Sequence, residues 1–324
     1  MARTGLVLGA GGIVGQAYQA GVLAALEHEV GWDPRSARLI VGSSAGSVTG
    51  AALRLGVSAS DMAAWASDAP VSPSGQAFFD AIGGADEDLP VPSPRDLLHG
   101  WRLPSFALVA RAARRPWSMR PTAMASTLLP AGRFDLQDRT HVFDDLTGTW
   151  PDGLWVCAAR RDSGRRVVFG RSGSPAARLS QAVAASCAIP AYFAPVHIGT
   201  REYIDGGVHS ATNADVLLHA HLDTVIVISS MSAAHGRSTH ADAPMRWAMH
   251  RRLEQEVRRL RARGTEVIRF EPSARTLAAM GVNAMAEDRS AAVVATAYAD
   301  AAHHAREPGT AARLAPLVPR LRAA

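Results

Sequence analysis

Short apolar runs alternate with longer stretches of helical period along much of the chain. Gly5–Leu8 reads as a buried strand, Gly9–Gly15 as a Gly-rich turn, and Gln16–His28 as a helix with Ala20, Leu23, Ala24 and Leu26 on its apolar side. Arg38–Val41 is a second buried strand, turning through Gly42–Gly46 into a small-residue helix that reaches about Leu55. Strand, glycine turn and helix, given twice, predict a mostly parallel sheet covered by helices.

Between about Asp68 and Arg133 this alternation lapses. Pro70, Pro73, Gly83, Gly84, Pro90, Pro92 and Pro94 break the apolar pieces, which predicts an irregular cap inserted into the core domain. The alternation then returns. Leu154–Ala159 and Arg166–Phe169 read as a hairpin around Asp162-Ser163-Gly164, and Ala176–Cys187 as a helix that stops before Pro190. Tyr203-Ile204 leads into Asp205-Gly206-Gly207. Ala214–Ala220 follows as a helix, Thr224–Ser229 as a strand and Pro244–Arg263 as an Arg-rich amphipathic helix. Glu266–Phe270 is a late strand and Ala284–Ala305 a long Ala-rich helix. The expectation is one three-layer α/β domain over 1–310, with a cap at about 68–135 and a loosely held tail over 311–324.

Composition narrows the class. The chain has 324 residues, 48% of them hydrophobic, enough for one large core. Its 34 basic residues are all Arg, and the formal charge of +5 suits an anionic surface or substrate without arguing for nucleic acid. Cys157 and Cys187 stand in apolar surroundings and read as buried free thiols; no Cys/His spacing calls for a metal. No run approaches the roughly 20 apolar residues of a membrane span. Met1-Ala2-Arg3-Thr4 shows no leader pattern, so a soluble cytoplasmic protein is the default, with peripheral membrane contact as an addition.

Three glycine-flanked motifs carry candidate chemistry. Gly42-Ser43-Ser44-Ala45-Gly46 fits G-x-S-x-G between a strand and a helix. A nucleophile on such a turn needs small neighbours at minus two and plus two so that backbones approach closely and the Ser oxygen projects. The following helix aims its N-terminus at the same point. A Ser/Gly-rich helix cap is the plain alternative. Gly9-Ala10-Gly11-Gly12-Ile13-Val14-Gly15 has two readings of different kinds. One is an oxyanion hole, with Gly11, Gly12 and Ile13 presenting N–H groups. The other is a dinucleotide loop, against which stand Val14 where a third Gly belongs and a second strand ending in Gly42-Ser43-Ser44 rather than an acid. Asp205-Gly206-Gly207 places an acid at an open strand end, where a simple turn Asp is the alternative.

As an ordered set these motifs resemble the patatin-like phospholipase family: Gly11-Gly12-Ile13-Val14-Gly15, then Gly42–Gly46, then Asp205-Gly206-Gly207. The connecting text is similar too, in Ala20-Gly21-Val22-Leu23, in Ala185-Ser186-Cys187-Ala188-Ile189-Pro190 with Phe193 and Pro195, and in Asn213. The resemblance covers roughly 4–60 and 150–230. It implies a serine acyl-hydrolase acting on lipid esters through a Ser44–Asp205 dyad, without histidine, metal or organic cofactor. Val14 departs from the pattern, because the family usually has Arg or Lys there, and the helix after Gly15 carries one residue more before Gly21.

The rival functions are a Rossmann-like nucleotide-binding oxidoreductase and a non-catalytic lipid-binding relative. Within the hydrolase reading, His197, His209, His219 and His221 leave a Ser–His–Asp triad formally open. The cap interleaves Arg95, Arg102, Arg111, Arg114, Arg115 and Arg120 with Trp101, Phe106 and Trp117, a pattern that suits an anionic membrane surface or a local core. The run from Arg246 to Arg263 reads as a solvated helix face with internal ion pairs.

Overall fold

The computed structural model describes residues 3–82, 121–132, 134–234 and 236–318. One sheet holds β1 (Thr4–Leu8), β2 (Leu39–Ser43), β3 (Leu154–Arg160), β4 (Arg166–Phe169), β5 (Val196–Ile198), β6 (Arg201–Asp205), β7 (Thr224–Ile228) and β8 (Glu266–Phe270). Its order is β5-β6-β3-β2-β1-β7-β8, with β4 also on β3. The five strands from β3 to β8 in that order run parallel, and β4, β5 and β6 are antiparallel to their neighbours.

Every residue of β1, β2 and β7 is buried. Strands covered on both faces need apolar residues at every position, which is why Thr-Val-Ile-Val-Ile of β7 lacks alternation. Leu6, Leu8, Ile40, Val156, Ala158 and Ile226 face one core with α1 (Gly12–Ala25) and the helices Leu179–Cys187 and Ser290–Arg306. Val7, Val41, Cys157, Val225 and Val227 face the other, with Leu253, Val257 and Leu260 of the helix Ala243–Arg261. Each Val, Leu or Ile side chain among them contributes about 1.5–3 kcal/mol when fully buried. This is the expected three-layer α/β sandwich with a mostly parallel sheet.

The pairing around β3 positions the site. β2 pairs with residues 154–157 of β3, from Ile40↔Leu154 to Ser43↔Cys157. β6 pairs with residues 158–160, from Ala158↔Asp205 to Arg160↔Tyr203. The Gly153 carbonyl accepts from β2, the Arg160 N–H donates to Arg165 beside β4, and the Arg161 N–H donates to Glu202 of β6. Backbone groups alternate sides along a strand. Odd-numbered residues therefore serve one edge, shared by β2 and β6, and even-numbered ones serve β4. The C-terminal ends of β2 and β6 thus meet head to head along a single edge of β3.

Several elements differ from the sequence-based expectation. Helix α1 begins at Gly12 rather than Gln16, because the Gly15 N–H already closes onto the Gly11 carbonyl at 3.0 Å. The segment after Asp205 is a 3-10 helix over Ala214–His219. The long C-terminal helix starts at Ser290, not Ala284, because Ala284 uses its carbonyl to accept from Val14 N–H at 3.2 Å. Of the tail read over 311–324, residues through 318 are described; Pro308–Leu314 is helical, and Leu314 and Leu317 join the apolar core. The Arg-rich helix is not wholly a solvated face either: Arg246 and Glu256 are buried in polar networks. Of the cap, the helices Pro73–Ile82 and Pro121–Leu128 are described. The Arg/aromatic stretch from Arg95 to Arg120 lies outside the described residues.

Candidate active site

Ser44 stands between β2 and α2 (Ala45–Arg54) with φ 51 and ψ −124, a left-handed-region backbone that non-glycine residues rarely take. Its neighbours explain how the turn closes. A Cβ on Gly42 would come within 2.4 Å of the Gly46 carbonyl oxygen, and one on Gly46 within 2.0 Å of the Leu8 carbonyl oxygen. Only glycine lets β1, β2 and α2 approach so closely.

The Ser44 side chain lies beside the carboxylate of Asp205 and favours its charged form. Both side chains are buried, each residue 5% exposed. Asp205 Oδ1 also accepts from the Gly207 N–H at 2.6 Å. Burial outweighs these two neighbours and pushes the Asp205 carboxyl up to about 6. Cys187 is also in hydrogen-bonding reach of the Ser44 side chain, and burial pushes its thiol up to about 12, so it stays neutral.

Ser186, fully buried, bridges the junction. Its Oγ accepts the Ser44 N–H at 2.8 Å and donates to the Cys157 carbonyl at 2.7 Å. That carbonyl belongs to the odd-numbered edge of β3, where β2 ends and β6 ends. Gly206 packs on the same group, since a Cβ there would lie 2.1 Å from it.

The Gly-rich loop forms the third side. Gly9 N–H donates to Ile228 O at 2.9 Å, Ala10 N–H to Ala211 O at 2.7 Å, and Gln19 Nε2 to Gly9 O at 2.6 Å. Gly12 has φ 63 and packs on the Ala284 carbonyl. Val14 N–H is taken by that carbonyl and its side chain is buried. The N–H groups of Gly11, Gly12 and Ile13, and that of Ala45, have no acceptor among the described residues. A Cβ on Gly207 would lie 3.1 Å from the Ala10 Cβ, and one on Gly15 3.9 Å from the Ala45 Cβ. All three motifs therefore converge, and Gly9, Gly11, Gly12, Ile13, Gly15, Gly42, Ser44, Gly46, Asp205, Gly206 and Gly207 lie in or around one site.

Behind it lies a polar network centred on Asn213, whose long-range partners the motifs do not name. Asn213, fully buried in a left-handed conformation, donates to Ser43 Oγ at 2.9 Å, Gly206 O at 3.2 Å and Ser210 O at 2.7 Å. Arg166 donates to Asn213 Oδ1 at 3.1 Å and pairs with Asp215. Glu256 accepts from Ser210, Thr212 and Ala214, and from Arg252 at 3.0 Å. These bonds tie the turn after Asp205 to the strand end before Ser44. Thr122 of the cap donates to Val208 O at 2.9 Å, so the returning leg of the insertion rests on the same turn.

No histidine hydrogen-bonds Ser44 or Asp205 among the described residues. His197 is exposed and pairs with Glu202 at 3.3 Å, and His209 follows the Gly206–Val208 turn. No group of acids, histidines and cysteines among the described residues is arranged to hold a metal ion. No helix among them is long and apolar enough to cross a membrane.

No curated protein matches the chain. Among solved structures, VipD from Legionella pneumophila is similar at 11% identity and a TM-score of 0.41, covering 94% of this chain and 66% of that one. The type III effector protein ExoU is similar at 12% identity and a TM-score of 0.36, covering 94% of this chain and 52% of that one. The chain thus spans about two thirds of the first and half of the second. The family model described as Patatin-like phospholipase matches residues 6–218, which hold the Gly-rich loop, Ser44 and Asp205 alike. The chain belongs to the patatin-like phospholipase family.

Proposed function

We propose that the protein is a serine acyl-hydrolase that cleaves fatty-acyl esters of lipids, with Ser44 as nucleophile and Asp205 as its base. The observation that carries this reading is the placement of Ser44, on a strained glycine-flanked turn, beside the buried carboxylate of Asp205 where β2 and β6 end against each other on β3. Family membership supports lipid ester hydrolysis as the reaction class.

Asp205 takes the Ser44 proton as Oγ attacks the ester carbonyl carbon. The oxyanion that forms is met by the N–H groups of Gly11, Gly12 and Ile13, and the Ala45 N–H is placed to add to them. Collapse breaks the bond to the alcohol, which leaves with the proton from Asp205. Asp205 then takes a proton from water, whose oxygen attacks the acyl-Ser44 ester. The second collapse releases the fatty acid and returns the proton to Ser44 Oγ. A carboxyl near 6 is ionised at neutral pH yet basic enough to accept a proton, which a fully solvated Asp near 3.9 does less well. Buried Val14 supplies no cation, and among the described residues the oxyanion is met by N–H donors.

Turnover of a nitrophenyl butyrate ester tests the reading. Ser44→Ala and Asp205→Asn should each lose about three orders of magnitude or more, while His197→Ala and His209→Ala keep most activity. A histidine variant as inactive as Ser44→Ala, with unchanged melting temperature, would replace the dyad by a triad.

A further inference from the structure

A cleft of about 410 Å³ opens away from Ser44, at the free ends of the β3–β4 and β5–β6 hairpins. Its volume falls in the range of about 300–1,000 Å³ usual for small-molecule sites. Arg160, Arg165, Thr200, Arg201 and Tyr203 line it, with Arg166 in its wall.

The register explains why arginines gather there. Arg160 pairs with Tyr203, and its N–H reaches the Arg165 carbonyl at 2.8 Å. Side chains alternate along each strand, so Arg160, Arg165, Tyr203 and Arg201 project from one face of the sheet. Asp162 accepts from Arg160 Nε and from Arg201 Nη1, each at 3.0 Å, and so fixes two guanidiniums with one carboxylate. Arg165 is exposed, and its side chain has no hydrogen bond or ion pair among the described residues. Arg166 directs its guanidinium elsewhere, to Asn213 and Asp215. Three guanidiniums therefore share the cleft with one carboxylate. The phenol of Tyr203, whose ring is buried, feels the charges of Arg160 and Arg201 and adds a hydroxyl beside them.

We propose that this cleft binds a phosphomonoester dianion. Among the described residues, three guanidiniums with one carboxylate leave two positive charges in excess, which match a dianion. The planar forks of Arg suit phosphate oxygens in pairs, and the hydroxyls of Thr200 and Tyr203 offer neutral donors. The volume leaves room for a ring-sized group carrying the phosphate. The site is separate from the proposed reaction centre: Arg201 is four residues before Asp205 on β6, on the order of 13 Å along the strand. It holds an anion without taking part in ester cleavage, whether that anion is a soluble phosphate ester or the headgroup of a membrane lipid.

Isothermal titration of the full chain with inositol trisphosphate, and co-sedimentation with phosphatidylcholine vesicles carrying phosphatidic acid, test this. Arg165→Gln and the double variant Arg165→Gln with Arg201→Gln should bind at least about tenfold more weakly. A charge-matched control at the end of the far helix and in the turn after it, Arg258→Gln with Arg263→Gln, should bind like the wild type. The Arg165 side chain makes no hydrogen bond or ion pair among the described residues, so its single variant keeps the test valid if the double variant loses stability. Binding in the titration alone assigns a soluble ester, and retention on vesicles assigns a lipid headgroup; either supports the site. No binding of either probe by the wild type, or an equal loss in the control, overturns it. Nitrophenyl butyrate turnover should be unchanged in every variant, so this result is independent of the Ser44 reading.

Discussion

The backbone N–H of Ser44 donates to the hydroxyl of Ser186, 142 residues later, at 2.8 Å. The same hydroxyl donates to Cys157 O, which lies where β2 and β6 end against each other on β3. Ser186 thus holds the turn carrying Ser44 to the strand on whose edge Asp205 also ends. Replacing it by Ala leaves a buried N–H and a buried carbonyl without partners, each worth about 1–3 kcal/mol. Ser186→Ala should lower the denaturation midpoint accordingly and reduce kcat more than it raises KM. Unchanged kcat at reduced stability would make Ser186 a packing residue only.

Asp205 should link activity and stability in opposite senses. Burial raises its carboxyl to about 6, above the roughly 3.9 of an unfolded chain. The base must be ionised, so turnover should fall as pH drops through about 6. A raised carboxyl favours the folded state fully below the unfolded value and loses that contribution as pH rises through the folded value. Asp205→Asn should therefore melt above the wild type at pH 8, by at most on the order of 3 kcal/mol, with the gap closing towards pH 4. Thermal melts of both proteins across that range check the sign. A variant less stable than wild type at pH 8 would contradict the burial argument.

Gly46 carries a steric demand that Gly309 does not. A Cβ at Gly46 would stand 2.0 Å from the Leu8 carbonyl oxygen, whereas one at Gly309 meets nothing within 4 Å. Gly46→Ala should fail to give a folded protein or should melt far lower, and Gly309→Ala should be near neutral. Circular dichroism melts of the two distinguish the turn's close packing from a general need for glycine.

The local parts of this site were legible in the sequence. Buried strands, the glycine turns and the order of the three motifs are written in neighbouring residues, and β1, β2 and Ser44 stand where that pattern puts them. The Gly-rich loop has two readings in the sequence, and its neighbours come from far along the chain: Ala284 packs against Gly12 and takes the Val14 N–H. Long-range partners were not legible. Asn213 reaches Ser43 over 170 residues, and Ser230 supports the loop by donating to Ala10 O at 2.7 Å from 220 residues away. Glu256 looked like a member of a solvated face because helical charge spacing is the same whether the partners are on that helix or on a buried turn. The three-residue strand Val196–Ile198 is too short to show a period.

The central claim is that Ser44 is the nucleophile. Treating the protein with a fluorophosphonate and mapping the adduct by peptide mass spectrometry tests it most directly. The account predicts one phosphonylated peptide with the adduct on Ser44, lost in Ser44→Ala and strongly slowed in Asp205→Asn. Labelling at another serine, or labelling that persists in Ser44→Ala, would contradict it.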